Sequence, residues 1–182
     1  MDHSSISHNS RKPAYPRWSE TLGNDGYVRI RPLDARKDPP QHMMPGFASG
    51  GQSFRLVGQA DFPEAHAVDL PAAIEYVNEV AFVGVTPDDS RERIVGVSRY
   101  RTDPHGSKCE CVVTVSDEWH KKGLAALLMK HLMEVARANG IRRMTSVELA
   151  ANVPMRELAT QLGFRTRMDP DDVHQVLHEL DL

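Results

Sequence analysis

The segment WHKKGLAALL, residues 119–128, places two lysines and a glycine directly before an apolar helical pattern. The first turn of a helix has unpaired amides and about half a positive charge, so it can bind a phosphate group. Gly123 leaves room for close approach, Ala125 keeps the next side chain small, and Lys121 and Lys122 add positive charge. The pattern favours an anion site, although a glycine before a helix can also serve packing alone.

Glu110 is an acidic residue within the apolar segment CECVVTV, residues 109–115. If this segment is a strand, Cys109 and Cys111 face one side of the sheet, and Glu110 faces the other with Val112. A carboxylate on a central strand needs a partner or access to water, because burial of an unpaired charge is unfavourable. Considered alone, Glu110 favours an ion pair at the strand edge.

Asn152 lies in AANVPM, between a predicted strand and a predicted helix that has Pro154 in its first turn. Asparagine is a preferred N-cap, because its side chain accepts a hydrogen bond from the first helical turn. Considered alone, Asn152 indicates a helix cap.

Composition limits the functional classes. The 182 residues suffice for one domain with a substantial core, and 40% hydrophobic and 26% charged residues are ordinary for a globular protein. The net charge of -3 argues against a nucleic-acid-binding protein, whose binding surface would be basic. Residues 1–24 are polar and read as a flexible N-terminal tail, and residues 25–182 as the domain.

The two cysteines, Cys109 and Cys111, are separated by one residue, so a disulfide between them would be strained. They predict reduced thiols in a cytoplasmic protein. No second cysteine pair or close histidine cluster accompanies them, so no metal site is predicted. No apolar run approaches the length of a membrane span, and no signal peptide is recognisable.

The remaining elements follow from periodicity and turn residues. YVRIRPL predicts a first strand over Tyr27–Leu33, DLPAAIEYVNE predicts a helix over 69–79, and residues 34–62 show no regular period. VAFVGV and RIVGVSRYR predict a hairpin around the turn TPDDSRE, followed by the strand CECVVTV. A helix over 124–139, the strand RMTSVEL, the helix NVPMRELATQLGF and two strands around DPDD complete the chain. This order predicts a single mixed α/β domain.

The combination of these pieces resembles the GNAT-type N-acetyltransferases. The pyrophosphate loop of that family reads Q/R-x-x-G-x-G/A, and residues 120–125 match it except that His120 replaces Gln or Arg. Asn152, followed by a helix that ends in LGF at 162–164, matches a later family element. The segments DGYVRIRPL, ERIVGVSRY, CECVVTVSDEWHKKGLA and LGFRTRMDPDD look like the acyltransferase domain of bacterial protein lysine acetyltransferases.

The resemblance implies a mostly antiparallel mixed sheet flanked by helices, with a splayed strand pair that receives acetyl-CoA as acyl donor, and no metal. It implies transfer of the acetyl group to a primary amine of a protein lysine. About one lysine in a few thousand is neutral at pH 7, so Glu110 would act as general base. The implied cofactor-binding residues are Val113, Val115, His120, Lys121, Lys122, Gly123, Leu124, Ala125 and Asn152.

Several alternatives remain open from the sequence. The acceptor could instead be a small amine such as a polyamine, aminoglycoside or amino acid, or the domain could bind acyl-CoA without catalysis. Many family members have a tyrosine seven residues after the asparagine, where this chain has Ala159, so no general acid is assigned. Glu148 is a second strand carboxylate, ranked below Glu110, and His120 could be a solvent-exposed residue before the helix. A monomer and a homodimer are both compatible with the sequence.

Overall fold

The computed structural model describes residues 15–23, 26–34, 36–38, 78–88 and 91–182. These residues form eight strands and two α-helices. The strands are β1 (Trp18–Thr21), β2 (Tyr27–Pro32), β3 (Glu79–Asp88), β4 (Arg91–Thr102), β5 (Lys108–Val115), β6 (Arg143–Leu149), β7 (Arg165–Met168) and β8 (Gln175–Asp181). The helices are α1 (Leu124–Ala138) and α2 (Val153–Gln161).

All eight strands form one sheet in the order β1-β2-β3-β4-β5-β6-β8-β7. Every neighbouring pair is antiparallel except β5 and β6, which run parallel with α1 as their connection. The predicted α/β domain with a mixed, mostly antiparallel sheet is confirmed.

The β5–β6 ladder is short. It pairs Lys108 with Arg143, Cys109 with Met144, and Glu110 with Thr145, and then stops. Beyond these pairs, β5 stays bonded to β4 as far as Val115, while β6 stays bonded to β8 as far as Leu149. The two central strands therefore diverge after Glu110, which confirms the predicted splayed strand pair.

Helix α1 packs across one face of the sheet through fully buried leucines, among them Leu124, Leu128 and Leu132. The approach is close: a Cβ placed on Gly96 of β4 would lie 2.8 Å from Leu128 Cδ1. Glycine at this position lets α1 lie directly on β4, and this contact fixes the start of the helix relative to the end of β5.

Three sequence predictions need correction. Trp18–Thr21 pairs with β2, so this part of the predicted 1–24 tail belongs to the sheet, and the strand at 27–32 is the second. The predicted turn TPDDSRE is mostly strand, because β3 continues to Asp88 and β4 begins at Arg91. The helix predicted over 69–79 lies outside the described residues except at its end, where Glu79 begins β3.

Candidate active site

The loop between β5 and α1 turns into the helix through two left-handed residues, Lys121 with φ 60° and Gly123 with φ 84°. Gly123 is the N-cap of α1. Among the described residues, a Cβ at this position would meet only Leu22, at 3.8 Å. The backbone conformation, more than crowding, is therefore what favours glycine at position 123.

The N-terminus of α1 is open. In the described part of the chain, no side chain caps it and no acidic residue occupies its first turn. The first amides of a helix lack intrahelical partners, so those of Leu124 and Ala125 point out of the helix start. This geometry suits an anion, because nothing in the described residues neutralises the positive end of the helix dipole.

The two predicted lysines differ in their surroundings. Lys121 is exposed, whereas Lys122 is half-buried and places its Nζ 5.3 Å from the centroid of the Trp119 ring. Trp119 is itself buried. A cation–π contact of this kind holds the Lys122 charge close to the helix start.

His120 links the loop to the end of β5. Its Nε2 lies 3.2 Å from the carbonyl oxygen of Val115 and 3.7 Å from Asp117 Oδ1. Because a carbonyl can only accept, Nε2 carries the proton and donates it to Val115. The structure therefore gives His120 a contact that fixes the loop, while a direct cofactor contact stays a prediction.

The open edge of β5 presents main-chain groups to the gap left by β6. The amide of Ser116 donates to the carbonyl of Val95 on β4, at 2.9 Å. Because main-chain direction alternates along a strand, Val113 and Val115 direct their N–H and C=O groups away from β4. That is the side from which β6 has diverged, and it is where the pantetheine arm was predicted to pair with Val113 and Val115.

Glu110 is the last β5 residue paired with β6, so it lies where the two strands begin to separate. Its side chain is exposed, and its cross-strand neighbours are Arg101 on β4 and Thr145 on β6. Partial desolvation raises the pKa of the Glu110 carboxyl, and the positive charges of Arg99 and Arg101 act to lower it. The predicted base is thus a solvent-accessible carboxylate beside two guanidinium groups.

Asn152 is the N-cap of α2, and its side chain accepts a hydrogen bond from the amide of Met155, at 3.4 Å. The cap predicted from the sequence is confirmed. A contact with the cofactor arm stays a prediction for the same residue.

Glu148, the second strand carboxylate, is buried on β6. Its side chain is 3% exposed and lies on the buried face of β6, the face shared with Met144 and Ser146. One carboxylate oxygen accepts from the Leu149 amide at 2.7 Å, and the other has no hydrogen-bond partner in the described structure. Desolvation raises the pKa of Glu148 to about 7. The alternation of β6 places it on this face, but only the tertiary structure reveals the unpaired oxygen.

Neither cysteine is suited to nucleophilic catalysis. Cys109 and Cys111 are free and buried, and burial raises the pKa of the Cys109 thiol to about 12. Both thiols therefore stay protonated near neutral pH.

Among the described residues, no group of three or more His, Cys, Asp or Glu side chains could hold a metal ion. Neither of the two described α-helices has the length and apolar character of a membrane span.

Ala159 on α2 lines a small cavity between the sheet and the two helices. The cavity begins at Cys111 and Ser146, the first residues of β5 and β6 beyond their last pair. An alanine cannot donate a proton, so position 159 does not supply the general acid expected from the resemblance. The cavity is lined by Cys111, Met129, Ser146, Met155, Leu158, Ala159, Leu162, Phe164 and His178.

Comparison of the sequence with known proteins identifies a family and a relative. The family model "Acetyltransferase (GNAT) family" matches residues 52–164. A Pseudomonas aeruginosa acetyltransferase is 37% identical over 185 residues, which cover 98% of this chain and all of that protein.

Two solved structures show the same fold. The GNAT domain of S. lividans PAT superposes with a TM-score of 0.70 at 22% identity, covering 92% of this chain and 99% of that one. The cAMP-binding acyltransferase from Mycobacterium smegmatis gives a TM-score of 0.63 at 17% identity, and the match spans 91% of this chain but 47% of that longer protein.

The open helix N-terminus and the splayed strands agree with three findings: the matched family, the similarity to a full-length acetyltransferase and the shared fold. The chain belongs to the GNAT acetyltransferase family, whose members use acetyl-CoA or another acyl-CoA as donor.

Proposed function

We propose that this enzyme transfers the acetyl group of acetyl-CoA to a protein lysine side chain, with Glu110 as general base. The observation that carries the assignment of the base is the position of Glu110. It is a solvent-accessible carboxylate at the last residue pair before β5 and β6 separate. The protein lysine acceptor is supported by the resemblance to the bacterial lysine acetyltransferases in the segments around β2, β4, β5 and β7.

The donor site is assembled from two main-chain surfaces. The amides of Lys122 to Ala125 would hold the pyrophosphate at the open end of α1, with Lys121 and Lys122 adding charge. The open edge at Val113 and Val115 would bind the pantetheine arm as an additional strand does, by main-chain hydrogen bonds. Hydrogen bonds from this edge would also polarise the thioester carbonyl, which makes its carbon more electrophilic.

Glu110, at the point where β5 and β6 separate, would accept a proton from the acceptor amine. The neutral amine nitrogen bonds to the acetyl carbon, and the carbon–sulfur bond breaks. CoA leaves as a thiolate, which takes up, through water, the second proton that the nitrogen loses and so becomes the free thiol. The raised pKa of Glu110 makes it a better proton acceptor than an ordinary carboxylate. Its exposure allows the proton to pass through a water molecule and onward to solvent.

Glu148 supplies a matched comparison for this role. It is also a strand carboxylate with a raised pKa, but it is buried on the helix-covered face, whereas Glu110 is exposed on the opposite face. A side chain that is 3% exposed cannot receive a proton from a bulky acceptor without local opening. Glu110 is therefore the base that a protein lysine can reach.

The test compares wild type, Glu110→Gln and Glu148→Gln in an assay of thiol release from acetyl-CoA with lysine peptides and small amines. General-base catalysis contributes about 10²–10⁴-fold, so Glu110→Gln should lose at least about a hundredfold in turnover. The same variant should keep its affinity for CoA in calorimetry. Turnover retained by Glu110→Gln, or turnover with small amines and no peptide, would refute the base or the lysine acceptor respectively.

A further inference from the structure

Arg101 is the residue of β4 that lies directly across from Glu110 on the exposed face of the sheet. The register places the two residues directly opposite each other on β4 and β5. Side chains in such cross-strand pairs lie on the same face with Cβ atoms about 5 Å apart. Both are exposed, and the positive charge of Arg101 acts on the pKa of Glu110.

Among the described residues, the carboxylate within ion-pair distance of Arg101 is that of Glu79, which also contacts Arg99. The guanidinium of Arg101 lies 3.5 Å from Glu79, while the same carboxylate accepts a hydrogen bond from Arg99 at 3.4 Å. One buried carboxylate is therefore shared by two guanidinium groups, and the side chain of Arg101 remains 63% exposed. The planar guanidinium has several N–H donors, so it can bind a further carboxylate through two hydrogen bonds.

Lys108, a further neighbour of Glu110, adds a positive charge to this face. Lys108 lies two residues earlier on β5 and pairs in register with Arg143 of β6, while Thr145 adjoins Glu110 itself. Arg143 is bonded to Asp181 at 3.1 Å. An acceptor that brings several positive charges to Glu110 would meet Arg99, Arg101 and Lys108, and would be repelled.

We propose that Arg101, supported by Arg99, forms a carboxylate-binding subsite that selects acceptors whose reactive amine lies beside an acidic group. For a protein acceptor, this is a lysine with an aspartate or glutamate next to it. This inference rests on the proposed function, since it takes Glu110 as the point of amine approach. The acidic group pairs with Arg101 while the amine faces Glu110.

The same arrangement disfavours polyamines and aminoglycosides as acceptors. Their reactive amine is accompanied by further cations, and like charges a few ångströms apart on an exposed surface repel weakly but measurably. The charge beside the reactive amine, and not the size of the acceptor, therefore decides which acceptors the enzyme prefers.

The experiment uses the full chain and acetyl-CoA with peptides of equal length whose central lysine is flanked by aspartate, alanine or lysine. γ-Aminobutyrate, butylamine and spermidine serve as small acceptors. Wild type should favour the aspartate peptide over the lysine-flanked peptide by about fivefold or more in kcat/KM. Arg101→Gln should abolish this preference and Arg101→Glu should reverse it. Arg167→Gln is the matched control, because Arg167 is a half-exposed arginine bonded to Glu179 at 3.2 Å.

A pH profile separates a direct role from a structural one. Because Arg101 acts to lower the pKa of Glu110, Arg101→Gln should move the acidic limb of kcat/KM to higher pH, and Arg167→Gln should not. Equal use of all acceptors by wild type, or an unchanged preference in Arg101→Gln, overturns the subsite. If the enzyme acetylates no peptide but prefers γ-aminobutyrate to butylamine, the subsite is supported and the lysine acceptor is refuted. Inactivity with every acceptor would refute both.

Discussion

Replacing Glu148 by glutamine should stabilise the protein at alkaline pH. The carboxyl has a pKa of about 7 in the folded chain, against 4.5 for an ordinary glutamate, because its buried position disfavours the charged form. Below pH 4.5 the group is neutral in the folded and unfolded states, so it does not affect stability. Above about pH 7 it is charged in both states, and the folded state carries the full desolvation penalty.

The size of the effect follows from linkage. The interval between 4.5 and about 7 corresponds to roughly 3 kcal/mol, at about 1.4 kcal/mol per pH unit. This penalty appears progressively as the pH rises from about 4.5 to 7. Glutamine keeps the shape of the side chain and has no charge, so Glu148→Gln should unfold at a midpoint about 6–12 °C higher than wild type at pH 8.

Urea unfolding of wild type and Glu148→Gln at pH 5 and pH 8 measures this difference directly. Glu157→Gln is the control, since Glu157 is an exposed glutamate of α2 and its replacement should have little effect at either pH. If Glu148→Gln were no more stable than wild type at pH 8, the carboxylate would have a partner in solution that offsets its burial. The reasoning from desolvation would then be wrong.

Three further predictions concern the donor site. Gly123→Ala should lower stability by about 1–2 kcal/mol in chemical unfolding, because alanine in a left-handed conformation is strained, and should weaken CoA binding in calorimetry. His120→Ala should lower stability by about 1 kcal/mol through loss of the bond to Val115, whereas His120→Gln should restore part of it; equal stability of all three would contradict that contact. Asn152→Ala should also cost about 1 kcal/mol, since the Met155 amide loses its cap, and Asn152→Ser, which keeps a cap oxygen and places no charge beside Glu148, should retain most of the stability.

The elements around the donor site were predictable from the sequence to within a residue or two. The helix predicted over 124–139 is observed over Leu124–Ala138, and RMTSVEL matches β6 in full. These segments have strong periodicity and clear stop signals such as Gly140, whose φ is 81°. Local sequence is therefore sufficient to predict these two elements.

The elements that were missed depend on pairing between distant residues. β1 has four residues and lies at the edge of the sheet, where pairing with β2 makes a strand of a short polar segment. In the same way, Glu110 was a candidate through the family resemblance, whereas the position of Arg101 across from it is given only by the β4–β5 register. The buried oxygen of Glu148 without a hydrogen-bond partner is likewise a property of the tertiary structure of the described residues, which no local pattern predicts.

The short ladder between β5 and β6 also links stability to donor supply. Only the described pairs from Lys108 to Glu110 join the two halves of the sheet directly. Beyond them the main-chain groups of Val113 and the amide of Val115 are not paired with β6, while the Val115 carbonyl accepts from His120. A donor that occupies the gap protects these amides from hydrogen exchange and favours the folded state. At a concentration of about a hundred times Kd it adds about 2.7 kcal/mol of stability. The lifetime of the enzyme in a cell would then rise and fall with the level of acetyl-CoA.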